Sequence, residues 1–356
     1  MGMLWSPSVA KRGGERSLVS GPGLKKIPWA FIGRIVAAVG ILAFLLSRVD
    51  LSHYGAVLRQ ALGYWLAAAF LMYALPLVTS ALKWGHLLRA LRVLISTRLL
   101  LQLYAIGFFI SSFLPGVVGG DVVRSYMAGQ DVGGHVKVAA TVVVERVTGV
   151  VALLLLCLLA LLWDAPHLAT LPTVALLGSI SAALIVSLAL GLNRRLALGL
   201  MYRTRRRRIS RAIRPLYQLH NTLKHFPRRP LVVALGYSLL FYLQGALAFL
   251  MLCRAFGVQL SVVEAASVQV FRSLLLLIPI SLGGLGLGQA GDVYLLGMLG
   301  VGGAHALGMS LARQAINYSY ALLAGVCFIR WQSHPNVSAG IDPECRPLAS
   351  HAVSQQ

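Results

Sequence analysis

Long apolar runs alternate with short polar punctuation along this chain, and the length of each run predicts its role. A bilayer core of about 30 Å needs roughly 20 apolar residues in a helix. Six segments meet that requirement: Trp29 to Leu46, Tyr64 to Leu82, Val138 to Trp163, Leu171 to Leu192, Leu231 to Leu252 and His305 to Ile329. Two others do not read as simple spans. Leu99 to Leu114 is cut off by Pro115, and the stretch from Gly116 to Lys137 holds too many glycines and charges to return across the bilayer. Val262 to Pro279 is barely long enough, and Gly283 to Gly303 carries nine glycines. Both irregular segments share one punctuation, Leu114-Pro115-x-x-x-Gly119-Gly120 and Ile278-Pro279-x-x-x-Gly283-Gly284. Unpaired backbone groups are costly in hydrocarbon, so broken helices at membrane depth persist only where protein or a wet cavity covers them. A matched pair of such breaks points to a transport site.

The expected fold is therefore an all-α polytopic membrane protein with about six spanning helices and two opposed re-entrant hairpins. Basic residues orient it. One side receives Lys11, Arg12, Arg16, Lys25 and Lys26, then Lys83, Arg89, Arg92 and Arg98, then twelve Lys/Arg and no acid between Asn193 and Pro230, then Arg330. The other keeps Arg48, Arg59 and Arg254. The positive-inside rule assigns the first set, and both termini, to the cytoplasmic side of the cell (inner) membrane. Two full spans in place of a hairpin would leave that orientation unchanged, so the hairpins rest on length and glycine content. With hairpins, the segments form an inverted repeat. A basic arm (1–28) precedes repeat one (63–163), a connector helix (171–192) and a basic loop (193–230), and repeat two (231–330) precedes a tail (331–356) expected to be disordered.

Composition agrees with this layout. The chain is 58% hydrophobic and 12% charged, against about 25% charged in soluble domains. A net charge of +22 would suit nucleic acid, but the positive charge is concentrated in a loop between apolar runs, with no folded domain to present it. It reads as an orientation signal and a contact for anionic lipid. Cys157, Cys253 and Cys327 lie in or at the end of apolar runs and Cys345 lies in the tail, a pattern that is neither a disulfide framework nor a zinc site.

Ionisable residues near the breaks are the candidate chemistry. Burying a charge at the bilayer centre costs about 2.5–3.5 kcal/mol on insertion scales, so such residues should face partners or water. Glu145 and Arg146 are adjacent and point about 100° apart on a helix, so neither neutralises the other. Asp121 and Arg124 are the natural partners, Asp121 for Arg146 and Arg124 for Glu145. Arginine forks match phosphate oxygens, which makes Arg124, Arg146, Arg272 and Arg313 candidates for a phosphate headgroup, together with Asp121, Glu145 and Gln289. A purely structural network pinning the hairpin is the competing reading. Glu264 reads as a solvated edge residue, and Asp292 as a capping or pairing group. Pro115, Gly119, Gly120, Pro279, Gly283, Gly284 and Gly286 would shape the hairpins or a gate. The glycine-rich run from Gly283 to Gly288 is only superficially like a dinucleotide fingerprint, and no strand precedes it.

The run Leu114-Pro115-Gly116-Val117-Val118-Gly119-Gly120-Asp121-Val122-Val123-Arg124, followed by Glu145-Arg146 and by Pro279 with Gly283-Gly284-Leu285-Gly286, resembles the flippase-like family related to the transmembrane region of lysylphosphatidylglycerol synthase. The similarity covers roughly Phe31 to Arg330 and includes Lys83-Trp84-x-x-Leu87-Leu88-Arg89. It implies movement of phospholipid or polyprenyl-linked lipid between leaflets. Many relatives carry Arg-Glu where this chain has Gly288-Gln289. The aminoacyl-transfer domain of the full-length synthases has no counterpart in the 26 residues after Arg330, so lipid aminoacylation is not expected.

The residues thus predict a lipid translocase with a phosphate headgroup held by intramembrane arginines. No enzymatic role, metal or cofactor is expected. Its partners are membrane lipids, an anionic phospholipid or a prenyl-phosphate lipid, rather than nucleic acid, and a homo-oligomer is left open. A transporter of small organic phosphates and a membrane-embedded lipid-phosphate transferase are the alternatives.

Overall fold

A computed structural model describes residues 62–113, 118–132, 134–163, 218–276 and 284–333. The expected spans at 29–46 and 171–192, the arm, the tail, most of the basic loop, and Pro115, Pro279 and Gly283 lie outside the described residues. Eight helices organise the rest: α1 (Gly63–Ala90), α2 (Thr97–Phe113), α3 (Val118–Val132), α4 (His135–Trp163), α5 (Arg228–Ala255), α6 (Val262–Leu275), α7 (Leu287–Met298) and α8 (Gly303–Ser333). A further short helix covers 218–224, and the described residues contain no strand.

Three of these helices are long and apolar enough to cross a membrane: α1, α4 and α5. Helix α8 has 31 residues but falls short in apolarity, because Ser310, Arg313, Gln314 and Asn317 interrupt its middle. Sequence length alone counts it as a span, and its polar face explains the difference.

Helices α1 and α5 form the centre. They run antiparallel: Leu62 N–H donates to Ala255 O at 2.8 Å, and towards the other end Lys83 Nζ donates to Ser238 Oγ at 2.7 Å. Their buried positions include Ala69, Thr79, Ser80, Ala81 and Gly85 on α1 and Ala234, Ser238, Gly245, Ala246 and Ala248 on α5. Small residues let backbones approach closely where no hydrophobic force drives helices together. The antiparallel pairing also brings Arg89 on α1 to the same end as Arg228 and Arg229 on α5, with Arg254 at the opposite end.

The remaining packing is matched between the halves. Helices α1 to α4 pack consecutively and α4 returns to α1; α5 to α8 do the same. Across the halves α2 packs on α8 and α6 on α4, while α4 also meets α5 and α8 meets α1. Each half carries an apolar core, one including Trp84, Leu88, Leu103 and Val138, the other Phe249, Leu252, Phe271 and Leu296.

Both breaks are followed by a helix that folds back on its predecessor. In the first, Gly107 of α2 lies against Gly120 of α3, where a built Cβ would sit 1.9 Å from the Gly107 carbonyl oxygen. Gly120 N–H also donates to Ser111 Oγ at 3.2 Å. Gly120→Ala is therefore expected to push α2 and α3 apart at a cost of about 1–3 kcal/mol or more, read as a lowered thermal midpoint of the purified protein. In the second, Leu276 and Gly284 flank the break in contact, and Gly284 and Gly286 adopt φ of 86° and 78°, a region that favours glycine. Helix α6 begins with a capping box: Ser261 Oγ accepts from Glu264 N–H at 3.2 Å and Glu264 Oε2 accepts from Ser261 N–H at 2.7 Å. Glu264 is thus an edge residue with a defined capping role.

Candidate functional site

Helices α1 to α6 and α8, with Gly284 at the second break, line a cavity of about 400 Å³. Arg124 (α3), Arg146 (α4), Arg272 (α6) and Arg313 (α8) all line it, with Asp121 and Gly284. Residues expected from opposite halves of the sequence therefore share one chamber.

On the α2–α3 side, Arg124 is the hub. Its Nη2 donates to Glu145 Oε2 at 2.8 Å and its Nε to Asp121 Oδ1 at 3.1 Å. Arg146 Nε donates to the other Asp121 oxygen at 2.6 Å. This is the pairing that the i, i+3 spacing and the divergent directions of Glu145 and Arg146 predict. Arg124 is 1% exposed, and its guanidinium lies against two neighbouring rings, 4.6 Å from the Trp84 centre and 4.4 Å from that of Tyr104. Both rings are held: Trp84 Nε1 donates to Thr141 Oγ1 at 3.0 Å, and Tyr104 OH to Glu145 Oε1 at 3.0 Å. A delocalised cation against two aromatic rings gains from both quadrupoles. The Arg146 side chain is half exposed.

On the α6–α7 side, Asp292 is the hub. Its Oδ2 accepts from Arg272 Nη1 and from Ser310 Oγ, and its Oδ1 accepts from Arg313 Nη1 at 3.4 Å. Arg272 also donates to Gly288 O at 2.8 Å, and the Arg313 guanidinium carbon lies 3.9 Å from the Phe249 ring centre. The pairing role of Asp292 is thus with two arginines at once. A Cβ at position 288 would meet Arg272 Nη2 at 2.8 Å, so the glycine makes room for this arginine.

Glu145 and Gln289 do not line the cavity; they stand behind it. Gln289 is fully buried and its Oε1 accepts from Gly286 N–H at 2.7 Å, capping the start of α7. Gly119 and Gly120 open α3.

Lys83 departs from its expected position among the cytoplasmic flanks. It is 5% exposed, seven residues short of the end of α1, and donates to Glu145 O at 2.8 Å and to Ser238 Oγ. The helix extends past Leu82 to Ala90, which draws the lysine inside. Trp84, Tyr104, Tyr73 and Ser310 also escape the sequence reading, although the adjacency of Lys83 and Trp84 to a span end was its one signal for them.

Electrically, Lys83, Arg124 and Arg146 face Asp121 and Glu145 on one side, and Arg272 and Arg313 face Asp292 on the other. Each side keeps one surplus positive charge. Arg124 Nη1 and Arg313 Nε and Nη2 are buried with no hydrogen-bond partner, a state that is costly unless a ligand or water satisfies them. Such a chamber suits an anion. The described residues contain no cluster of three His, Cys, Asp or Glu able to hold a metal.

A family profile described as the lysylphosphatidylglycerol synthase TM region matches residues 31–325. Neither the curated proteins nor the solved structures return a match. The family description is that of a synthase, which overturns the expectation that the chain stands outside enzymes: it groups instead with the membrane part of one. With most of its length matched, including every residue of the paired arginine clusters, the chain belongs to the family of the lysylphosphatidylglycerol synthase TM region.

Proposed function

We propose that the chain is a lipid translocase that binds the phosphate headgroup of a membrane lipid in the arginine-lined cavity and carries it between leaflets. The observation that supports this reading is the convergence of Arg124, Arg146, Arg272 and Arg313 on one cavity with positive charge to spare. An ionised group inside a membrane protein marks a substrate path by default. A phosphate monoanion offers the acceptors that the unpartnered guanidinium nitrogens lack.

In this reading the two helix pairs are re-entrant hairpins entering from opposite faces, and the halves are inverted repeats. The antiparallel α1–α5 pair and the matched packing of the other helices support it. Inverted repeats put a binding site near the midplane where they meet. The shared position of Arg89, Arg228 and Arg229 supports a cytoplasmic assignment for that end. Acyl or prenyl chains would stay in the bilayer while the headgroup crosses through the cavity.

Purified chain in vesicles is expected to accelerate transbilayer movement of a fluorescent anionic phospholipid or prenyl phosphate well above protein-free vesicles. Rates equal to protein-free vesicles for anionic, zwitterionic and prenyl-phosphate lipids alike would refute the proposal.

A further inference from the structure

Asp121 is the carboxylate on the cavity wall, Glu145 and Asp292 stand behind it, and each oxygen of all three already has a donor. Asp121 Oδ1 and Oδ2 accept from Arg124 and Arg146. Glu145 Oε1 and Oε2 accept from Tyr104 and Arg124. Asp292 Oδ1 and Oδ2 accept from Arg313, Arg272 and Ser310. An entering ammonium would find no uncommitted carboxylate and would meet the surplus positive charge of both sides. Removing a carboxylate from its arginine to serve the ammonium would leave a buried guanidinium unpaired, which is the expensive outcome.

An anion meets the opposite situation. The Nη1 of Arg124 and the Nε and Nη2 of Arg313 are buried and make no well-formed hydrogen bond, the Tyr73 hydroxyl stands beside Arg313, and all three residues line the cavity. The rest of the wall is neutral and largely apolar, with Pro76, Leu77, Phe108, Phe241 and Leu276, and carries a few polar groups. Gln269 and Ser273 from α6, with Asn317 from α8, present amide and hydroxyl groups to the same space. Such groups donate and accept, which suits ligand hydroxyls. At about 400 Å³ the chamber lies near the lower end of small-ligand pockets, about 300–1,000 Å³. That size accommodates a headgroup.

We propose that the cavity selects a headgroup that is both anionic and hydroxylated, a glycerol- or sugar-phosphate, and discriminates against a headgroup bearing an added ammonium. This rests on the lipid-headgroup reading of the cavity and sharpens it: the preferred ligand lacks the lysyl group that the family description names. The hydroxylated phosphate can come from a diacylglycerol lipid or from a prenyl lipid, and the neutral wall would receive either.

The test separates selection from movement. Binding of phosphatidylglycerol, a prenyl-phosphate glycoside, phosphatidylmethanol, phosphatidylethanolamine and lysyl-phosphatidylglycerol to the unsubstituted full chain is compared by competition in native mass spectrometry. The expected order has one of the two hydroxylated anions first, at least about tenfold over lysyl-phosphatidylglycerol, a ratio equivalent to about 1.4 kcal/mol. Phosphatidylmethanol, anionic but lacking hydroxyls, should fall between them. Arg313→Gln should weaken the favoured lipid and compress the series, with Arg313→Lys recovering part of it. Equal or tighter binding of lysyl-phosphatidylglycerol overturns the selectivity, as does the absence of saturable binding by every lipid. Phosphatidylmethanol binding as tightly as phosphatidylglycerol overturns the hydroxyl preference. Ordered binding with no transbilayer movement leaves the selectivity standing and sinks the translocase reading.

Discussion

Replacing Arg124 by Leu is expected to collapse the α2–α3 side of the site and abolish the proposed transbilayer activity. The substitution strips Glu145 of its guanidinium and leaves Asp121 with Arg146 alone. Breaking a buried pair by removing one partner costs about 3–5 kcal/mol, because a desolvated charge is left behind. Lys83 offers no rescue, since it binds the backbone oxygen of Glu145 and not its carboxylate. The rings of Trp84 and Tyr104 would also lose the cation packed against them. Arg124→Lys keeps the charge and loses the fork, so it should fold better than the Leu variant and still fall short of the parent in transport. Thermal stability in detergent and transbilayer rates in vesicles read the two effects separately. Parent-like stability of Arg124→Leu would show that the cluster does not hold the hairpin.

The second large effect concerns Asp292, and its sign is unusual. Asp292→Asn preserves shape but leaves Arg272 and Arg313 buried together with no formal counter-charge. Each isolated guanidinium then bears the full desolvation penalty, and a loss of about 3–5 kcal/mol follows. Removing a second charge should return part of it. The double variant Asp292→Asn with Arg313→Gln is expected to be more stable than Asp292→Asn alone, with a coupling of about 0.5–3 kcal/mol in a double-mutant cycle. Additive losses would mean that the two residues act independently, against their shared geometry.

The all-helical membrane character, the two breaks and the Arg124 to Glu145 pairing were legible because they depend on local rules. Proline and glycine end a helix wherever they occur, and charges three positions apart or side by side constrain their own directions. The partner of Asp292 was not legible, since Arg272 and Ser310 reach it from different helices and only packing decides which faces meet. Lys83 misled for the same reason: the pattern places a lysine at a span end, while the helix continues for another turn or two and buries it. The Gly288 position looked like a lost charge. The fold explains it as space ceded to Arg272, so the positive group is supplied from α6 rather than from α7.

The polar middle of α8 has a consequence for how the protein is made. An arginine at the centre of an inserting helix carries a penalty of about 2.5–3.5 kcal/mol, and α8 is not apolar enough by itself to qualify as a span. Chains emerge amino terminus first, so α7 and its Asp292 are already present when Arg313 arrives. Helix α8 can then enter the membrane by docking onto a waiting counter-charge instead of partitioning alone. Insertion of the last helix becomes conditional on the helices that precede it, Asp292 on α7 above all.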